Sequence, residues 1–174
     1  MQPSRTRWIV PAVAAVLLGS ALHFAFALLW RFPAAGVFAS VNESVWEHMK
    51  LCFWPMLATG ALACIRFGYS VREWAVPLAV SVTASVLFIP FVYYFLLSGL
   101  GFSSLVSDIL LFIAAVFAGY RILDSTLRRS RFYPALPGLV TLAVWGAFFV
   151  LFTFFPPHLP LFMDVHGGFY GIGP

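Results

Sequence analysis

The chain has 174 residues, of which 62% are hydrophobic and 9% charged, with ten Lys and Arg against six Asp and Glu. Soluble domains run near 45–50% apolar and about 25% charged, and over half of a small domain's surface faces solvent, so this composition excludes a water-soluble globule. The net charge of +4 does not point to nucleic acid, because the basic residues sit in short gaps between apolar runs, where membrane topology explains them.

Five segments are long enough to cross a hydrocarbon core of about 30 Å, which takes about 17–25 residues. The first covers 8–30, with Trp8 and Trp30 at its two ends, where interfacial aromatics belong. Its Ala25-Phe26-Ala27 matches a leader-cleavage pattern. The apolar run continues to Trp30, however, and bulky aromatics crowd that point, so the segment is read as a retained span. The second covers 44–67, and Ser40 with Glu43 three residues later predicts a capping box just ahead of it. The third covers 71–97 and includes Pro77 and Pro90, which membrane helices tolerate; Ser98-Gly99-Leu100-Gly101 then breaks the pattern. The fourth covers 104–123 and the fifth 136–155, where Pro156-Pro157 stops it. A tail rich in Pro and Gly, 156–174, follows. The expectation is an all-α, polytopic transmembrane bundle forming a single domain over 1–174.

Charge assigns a direction. Arg5, Arg7, Arg66, Arg72, Arg121, Arg128, Arg129 and Arg131 fall on one side, and only Arg31 and Lys50 on the other. The positive-inside rule makes the first side cytoplasmic. The N-terminus is then inside and the tail outside, with a multi-pass placement in the cell (plasma) membrane. On this topology all four histidines, His23, His48, His158 and His166, lie in the outer half, together with Glu43, Glu47, Asp108 and Asp164. Cys52 and Cys64 are twelve residues apart on one helix, roughly 18 Å, too far for a disulfide.

Ionisable groups in a membrane bundle are costly and are functional candidates unless paired. The densest stretch is Asn42-Glu43-Ser44-Val45-Trp46-Glu47-His48-Met49-Lys50. Helical spacing puts Glu43, Glu47 and Lys50 on one stripe and His48 about 100° away, beside Ser44 and Cys52. Glu43, Glu47, His48 and Asp108 are therefore the catalytic candidates, and His23, Glu47, His48 and Asp164 the metal candidates, with a divalent ion such as zinc suited to a His and carboxylate set. Each has a plainer reading. Glu43, Glu47 and Asp108 suit the first turn of a helix, Glu47 and Lys50 fit an ordinary surface pair, and Asp164 in a Gly-rich tail fits a turn.

Two stretches carry a resemblance. Ser40-Val41-Asn42-Glu43-Ser44-Val45-Trp46-Glu47-His48-Met49-Lys50, with Phe53-Trp54-Pro55 after it, resembles the N-E-[ST]-x-W-E-H-x-K signature of an uncharacterised family of small bacterial integral membrane proteins. Pro156-Pro157-His158-Leu159-Pro160-Leu161-Phe162-Met163-Asp164, then Gly168-Phe169-Tyr170-Gly171-Ile172, is similar to that family's ending. Gly167 stands where that ending has Thr, and His166 is a second departure. The resemblance implies a polytopic membrane protein and supplies no activity; the inner membrane of a bacterium is the expected location.

Three function classes stay open. One is an accessory subunit that docks a membrane partner or a second copy of itself. The second is a membrane-embedded enzyme, metal-dependent or acid/base, acting on a lipid-like substrate. The third is a proton- or cation-coupled transporter using Asp108, Glu47 and His23 as a relay. The weight falls on the accessory subunit in contact with the bilayer, and the outer mouth is where a site is expected.

Overall fold

The computed structural model describes residues 5–129 and 134–173; Arg131, counted above among the basic residues, lies outside them. Five helices follow one another: α1 (Ile9–Leu28), α2 (Val45–Arg66), α3 (Val71–Tyr94), α4 (Leu105–Arg129) and α5 (Ala135–Phe154). Each is long and apolar enough to cross a membrane. Their outward faces carry Val10, Leu17, Leu62, Phe91, Leu105 and Leu136 fully in the open, as lipid contact requires and water would not tolerate.

One capping residue and two helix ends differ from those read in the sequence. The capping residue of α2 is Ser44, whose hydroxyl accepts the Glu47 N–H; Ser40 and Glu43 lie in the loop before it. Ser40 instead turns its hydroxyl to the Asn42 carbonyl. The third span does not break at Ser98, because α3 runs on through a π-helical turn, Phe95–Gly99, and ends only where Gly101 takes φ +64°. The fourth helix continues six residues past Leu123 to Arg129.

The cause of that extension is a buried contact at the end of the bundle where α1 begins. Trp8 is not an interfacial aromatic: it is buried, and its indole N–H donates to Asp124 Oδ1 at 2.9 Å. Arg128 Nε meets the other Asp124 oxygen at 3.0 Å. A carboxylate one residue beyond the apolar run is thus neutralised, and the helix keeps its register. Trp30, by contrast, is 94% exposed.

Helices α1 to α4 form a ring closed by contacts between α1 and α4, with α3 central and α5 packed on the outside of α3. Hydroxyls tie the ring together: Ser81 and Ser85 of α3 donate to the Gly119 and Ala115 carbonyls of α4 at 2.7 and 2.8 Å. Small residues at such crossings let backbones approach. At Gly138 of α5 a Cβ would stand 2.5 Å from the Ala75 carbonyl oxygen and the Val76 nitrogen of α3. Backbone cannot move aside as a side chain can. Gly138→Val is therefore expected to lower stability by about 1–3 kcal/mol in a detergent unfolding titration. At Gly99 a Cβ meets only the Phe95 ring, 3.5 Å away, so Gly99→Ala is the control, expected to change little. Equal midpoints for the two variants would refute the close approach.

Candidate functional site

The end of the bundle that carries the C-terminus of α1, the N-termini of α2 and α4 and the chain's tail brings most ionisable candidates together. It sorts them into two groups that the spacing did not separate.

The first group is a buried lock. Lys50 is 0% and Glu47 2% exposed, and Lys50 Nζ lies 2.5 Å from Glu47 Oε2. All three ammonium protons have acceptors, the others being the Gly36 carbonyl at 2.6 Å and Thr153 Oγ1 at 2.9 Å. The Thr153 hydroxyl in turn donates to the Phe149 carbonyl at 2.8 Å, with Glu47 Oε1 3.3 Å away. Glu47 Oε2 also accepts the Val41 N–H at 3.0 Å. This is not the surface pair that helical spacing suggests. It fastens the 3-10 turn Pro33–Val37, the loop before α2, and the end of α5 to one point.

The second group is a half-buried trio. Glu43 does not share a face with Glu47, because it precedes the Ser44 cap and the extended cap residue turns the chain there. Its Oε1 lies 3.5 Å from His23 Nε2 and its Oε2 3.6 Å from His48 Nε2. The two imidazoles are 5.5 Å apart between centroids. One ligand atom from each of the three residues lies within 4.8 Å of the other two. The His48 Nδ1 is 2.9 Å from the Ser44 carbonyl. A carbonyl only accepts, so Nδ1 carries a proton, and Nε2 is the nitrogen turned toward Glu43. Both His–Glu contacts are longer than an ordinary hydrogen bond.

Glu43 is held by the tail. Its backbone N–H donates to Asp164 Oδ2 at 2.8 Å. The other Asp164 oxygen accepts the N–H groups of His166, at 2.9 Å, and of Gly167. Burial alone pushes the Asp164 carboxyl up, but the N–H donors Glu43, Gly167 and His166, together with the His166 charge, outweigh it and hold the group below the ordinary carboxylate range. Asn42 adds a second tie, donating to the Gly171 carbonyl at 2.9 Å while its own oxygen accepts from Ser44 N. Trp46 packs between Phe149 and Phe162 at 4.6 and 4.8 Å. The Asn42–Lys50 stretch and the tail, far apart in sequence, are thus one structural unit.

Two of the trio, Glu43 and His48, line a cavity of about 340 Å3 between α2, α3, α4 and the tail, to which Asp108, Tyr93 and His166 also contribute; His23 stands behind Glu43, outside the lining. Among the sequence candidates, Glu43, His48 and Asp108 gather at this mouth, and His23 joins them through Glu43. Glu47 is engaged in the lock, and Asp164 supports the trio from behind through backbone bonds. His158 stacks on Tyr170, 4.6 Å between centroids. Tyr93, Thr153 and the apolar lining residues Ile89 and Phe112 were not legible in the sequence. An aromatic or Thr on an apolar helix carries no local sign of what it faces, though the Tyr93-Tyr94 pair near a helix end was a weak one.

A family described as "Family of unknown function (DUF6512)" matches residues 1–172. No curated protein matches, and no solved structure matches.

Proposed function

The chain belongs to this family of unknown function, DUF6512, and on that premise we propose that it is a membrane-embedded enzyme built on a divalent metal centre at the outer mouth of the bundle. His23, Glu43 and His48 are the proposed ligands. The observation that carries this reading is that their three ligand atoms lie within 4.8 Å of one another with the carboxylate between the imidazoles. Tetrahedral zinc with bonds of about 2.0–2.2 Å needs ligand atoms roughly 3.3–3.6 Å apart; each imidazole here approaches its own Glu43 oxygen, at 3.5 and 3.6 Å, and small side-chain rotations would draw the three ligand atoms, now within 4.8 Å of one another, onto one ion. Three protein ligands of the His2Glu kind leave a fourth position open, as catalytic zinc sites do. An ion there would supply a Lewis acid or an activated water.

The chain's own contributions follow. The Ser44 carbonyl orients His48, and Asp164 fixes the backbone of Glu43; supports of this kind set metal affinity. Asp108 and Tyr93 share the cavity and are the proposed proton donor and acceptor. The cations gathered at the opposite end of the bundle support an extracytoplasmic orientation for the mouth and a place in the plasma membrane.

Purified protein should bind about one Co2+ or Zn2+ per chain. His23→Ala and His48→Ala should each lower the affinity by at least about 100-fold, with His158→Ala as the unaffected control. Metal binding by both ligand variants at wild-type strength would refute the centre.

A second reading, an accessory subunit that docks a partner, is favoured by a protruding knuckle between α1 and the 3-10 turn. Trp30 and Arg31 both adopt the left-handed backbone region, φ +51° and +57°, an arrangement non-glycine residues hold at a cost. It leaves Trp30 and Phe32 exposed while Arg31 donates to the Gly173 carbonyl at 2.5 Å. Under this reading Trp30→Ala removes a stoichiometric membrane partner on co-purification and leaves metal binding unchanged.

A further inference from the structure

The cavity has a gradient. Asp108 lies three residues nearer the start of α4 than Leu111, which is about 4.5 Å along the axis. Tyr93 lies four residues nearer the end of α3 than Ile89, about 6 Å. Both helix ends belong to the mouth, so Asp108 and Tyr93 lie outward of Ile89, Leu111 and Phe112, which form the deeper wall. Phe112 also closes the space beside α1: a Cβ on Gly19 would stand 2.6 Å from its Cζ. A site for a small hydrophilic substrate would have its polar groups at the bottom as well as the rim.

The cavity also communicates with the lipid side. Leu105 lines it and is 75% exposed, and Val106 and Ile109 beside it are exposed too. The apolar wall therefore continues onto the lipid-facing surface of α4. At about 340 Å3 the cavity is at the small end of ligand pockets, which run from about 300 to 1,000 Å3. It accommodates a head group and the start of a chain, leaving the remainder to the bilayer.

Resting on the metal centre proposed above, we infer that the ligand of this site is an amphiphile whose metal-binding head group, a carbonyl or an oxyanion, lies at His23, Glu43 and His48 while the first methylenes of its chain lie on Ile89, Leu111 and Phe112. This orientation matches that of a lipid in the adjacent leaflet, head outward and chain inward, so the molecule enters without turning over. Burial of successive methylenes on an apolar wall strengthens binding with each carbon, and the head alone gains nothing from that wall.

The experiment uses the full chain in lipid nanodiscs loaded with Co2+, whose visible absorption reports ligand exchange. Acetohydroxamic acid and octanohydroxamic acid present the same head with short and long chains. Leu111→Asn, or Ile89→Ala where that variant does not fold, should weaken octanohydroxamate binding by at least about 10-fold and leave acetohydroxamate within about 2-fold of wild type. Comparing proteins in the same nanodisc removes partition into lipid from the result. Equal loss for both probes, or no loss for either, overturns the amphiphile inference and leaves the metal centre standing. Absence of any Co2+ absorption band in the wild-type protein overturns the metal centre itself.

Discussion

Lys50→Met is expected to destabilise the protein by about 3–5 kcal/mol, the usual result of removing one partner from a buried ion pair. The ammonium is fully buried and satisfies Glu47, the Gly36 carbonyl and Thr153 at once. Without it the Glu47 carboxylate is left in an apolar interior with no opposing charge, and the Gly36 carbonyl loses its donor. Pairing the change with Glu47→Gln removes the stranded charge and keeps an acceptor for the Val41 N–H, which Glu47 Oε2 holds at 3.0 Å. The double variant should therefore recover at least about 2 kcal/mol of the loss. Equilibrium unfolding of the four proteins of the cycle measures it. Purely additive effects, or a Lys50→Met protein as stable as wild type, would show that the lock carries no weight. The same cycle bears on function: the lock anchors the loop that delivers Glu43, so metal affinity should fall in Lys50→Met and return in part with the double variant.

The second large effect is expected at Asp164. Its carboxylate accepts three backbone N–H groups, from Glu43, His166 and Gly167, and its own N–H donates to the Phe169 carbonyl at 2.9 Å. Hydrogen bonds to a charged group contribute about 1.5–3 kcal/mol each, and the three share one anion. Asp164→Ala should cost about 3 kcal/mol or more, read as faster amide exchange at Glu43, His166 and Gly167. The loss of a group supporting a proposed metal ligand should lower metal affinity by about 10–100-fold. The pH dependence has a definite sign. The folded carboxyl sits below its ordinary range, so the unfolded chain binds this proton first as pH falls. The contribution is complete above about pH 4, the ordinary Asp range, and is lost as pH drops through the lower folded value. Asp164→Asn should lose that dependence below pH 4. Tail amides equally protected in Asp164→Ala and wild type would show that the tail does not depend on this residue.

The structure also explains why a polar stretch ahead of α2 is needed. The mouth depends on a loop, Asn42–Glu43, held from both sides. Asn42 and the Glu43 backbone are tied to the tail, and Val41 is tied to the lock. A loop anchored in this way positions a ligand as a rigid element would. Helical periodicity predicted Glu43 and Glu47 side by side because it extended the helix back through Ser44. Ser44 is instead the cap, with an extended backbone, and one residue outside the helix no longer follows the 100° rule. Ser44 and Glu47 repeat the Ser-x-x-Glu spacing of Ser40 and Glu43, and the structure uses Ser44 as the cap. Packing favoured it because Glu47 can then reach Lys50.

The opposite end of the bundle shows the same limit. Asp124 falls one residue beyond the apolar run, and sequence alone treats it as a solvated group among arginines. Only the ring closure of α1 on α4 brings Trp8 to it, 116 positions away in the chain.

The sequence by itself determined five apolar helices and the gathering of His23, His48 and Glu43 at one end of them. Those follow from local quantities: the length of an apolar run against the thickness of a bilayer, and the up-and-down alternation of successive spans. Tertiary structure alone decided which ionisable groups meet. Glu47 went to Lys50 and Thr153 in the interior, and Glu43 to His23 and His48 at the mouth. Such pairings depend on where caps fall and on how helices rotate against one another. Those are settled by packing and by the need to satisfy every buried charge, over separations that no sequence periodicity spans.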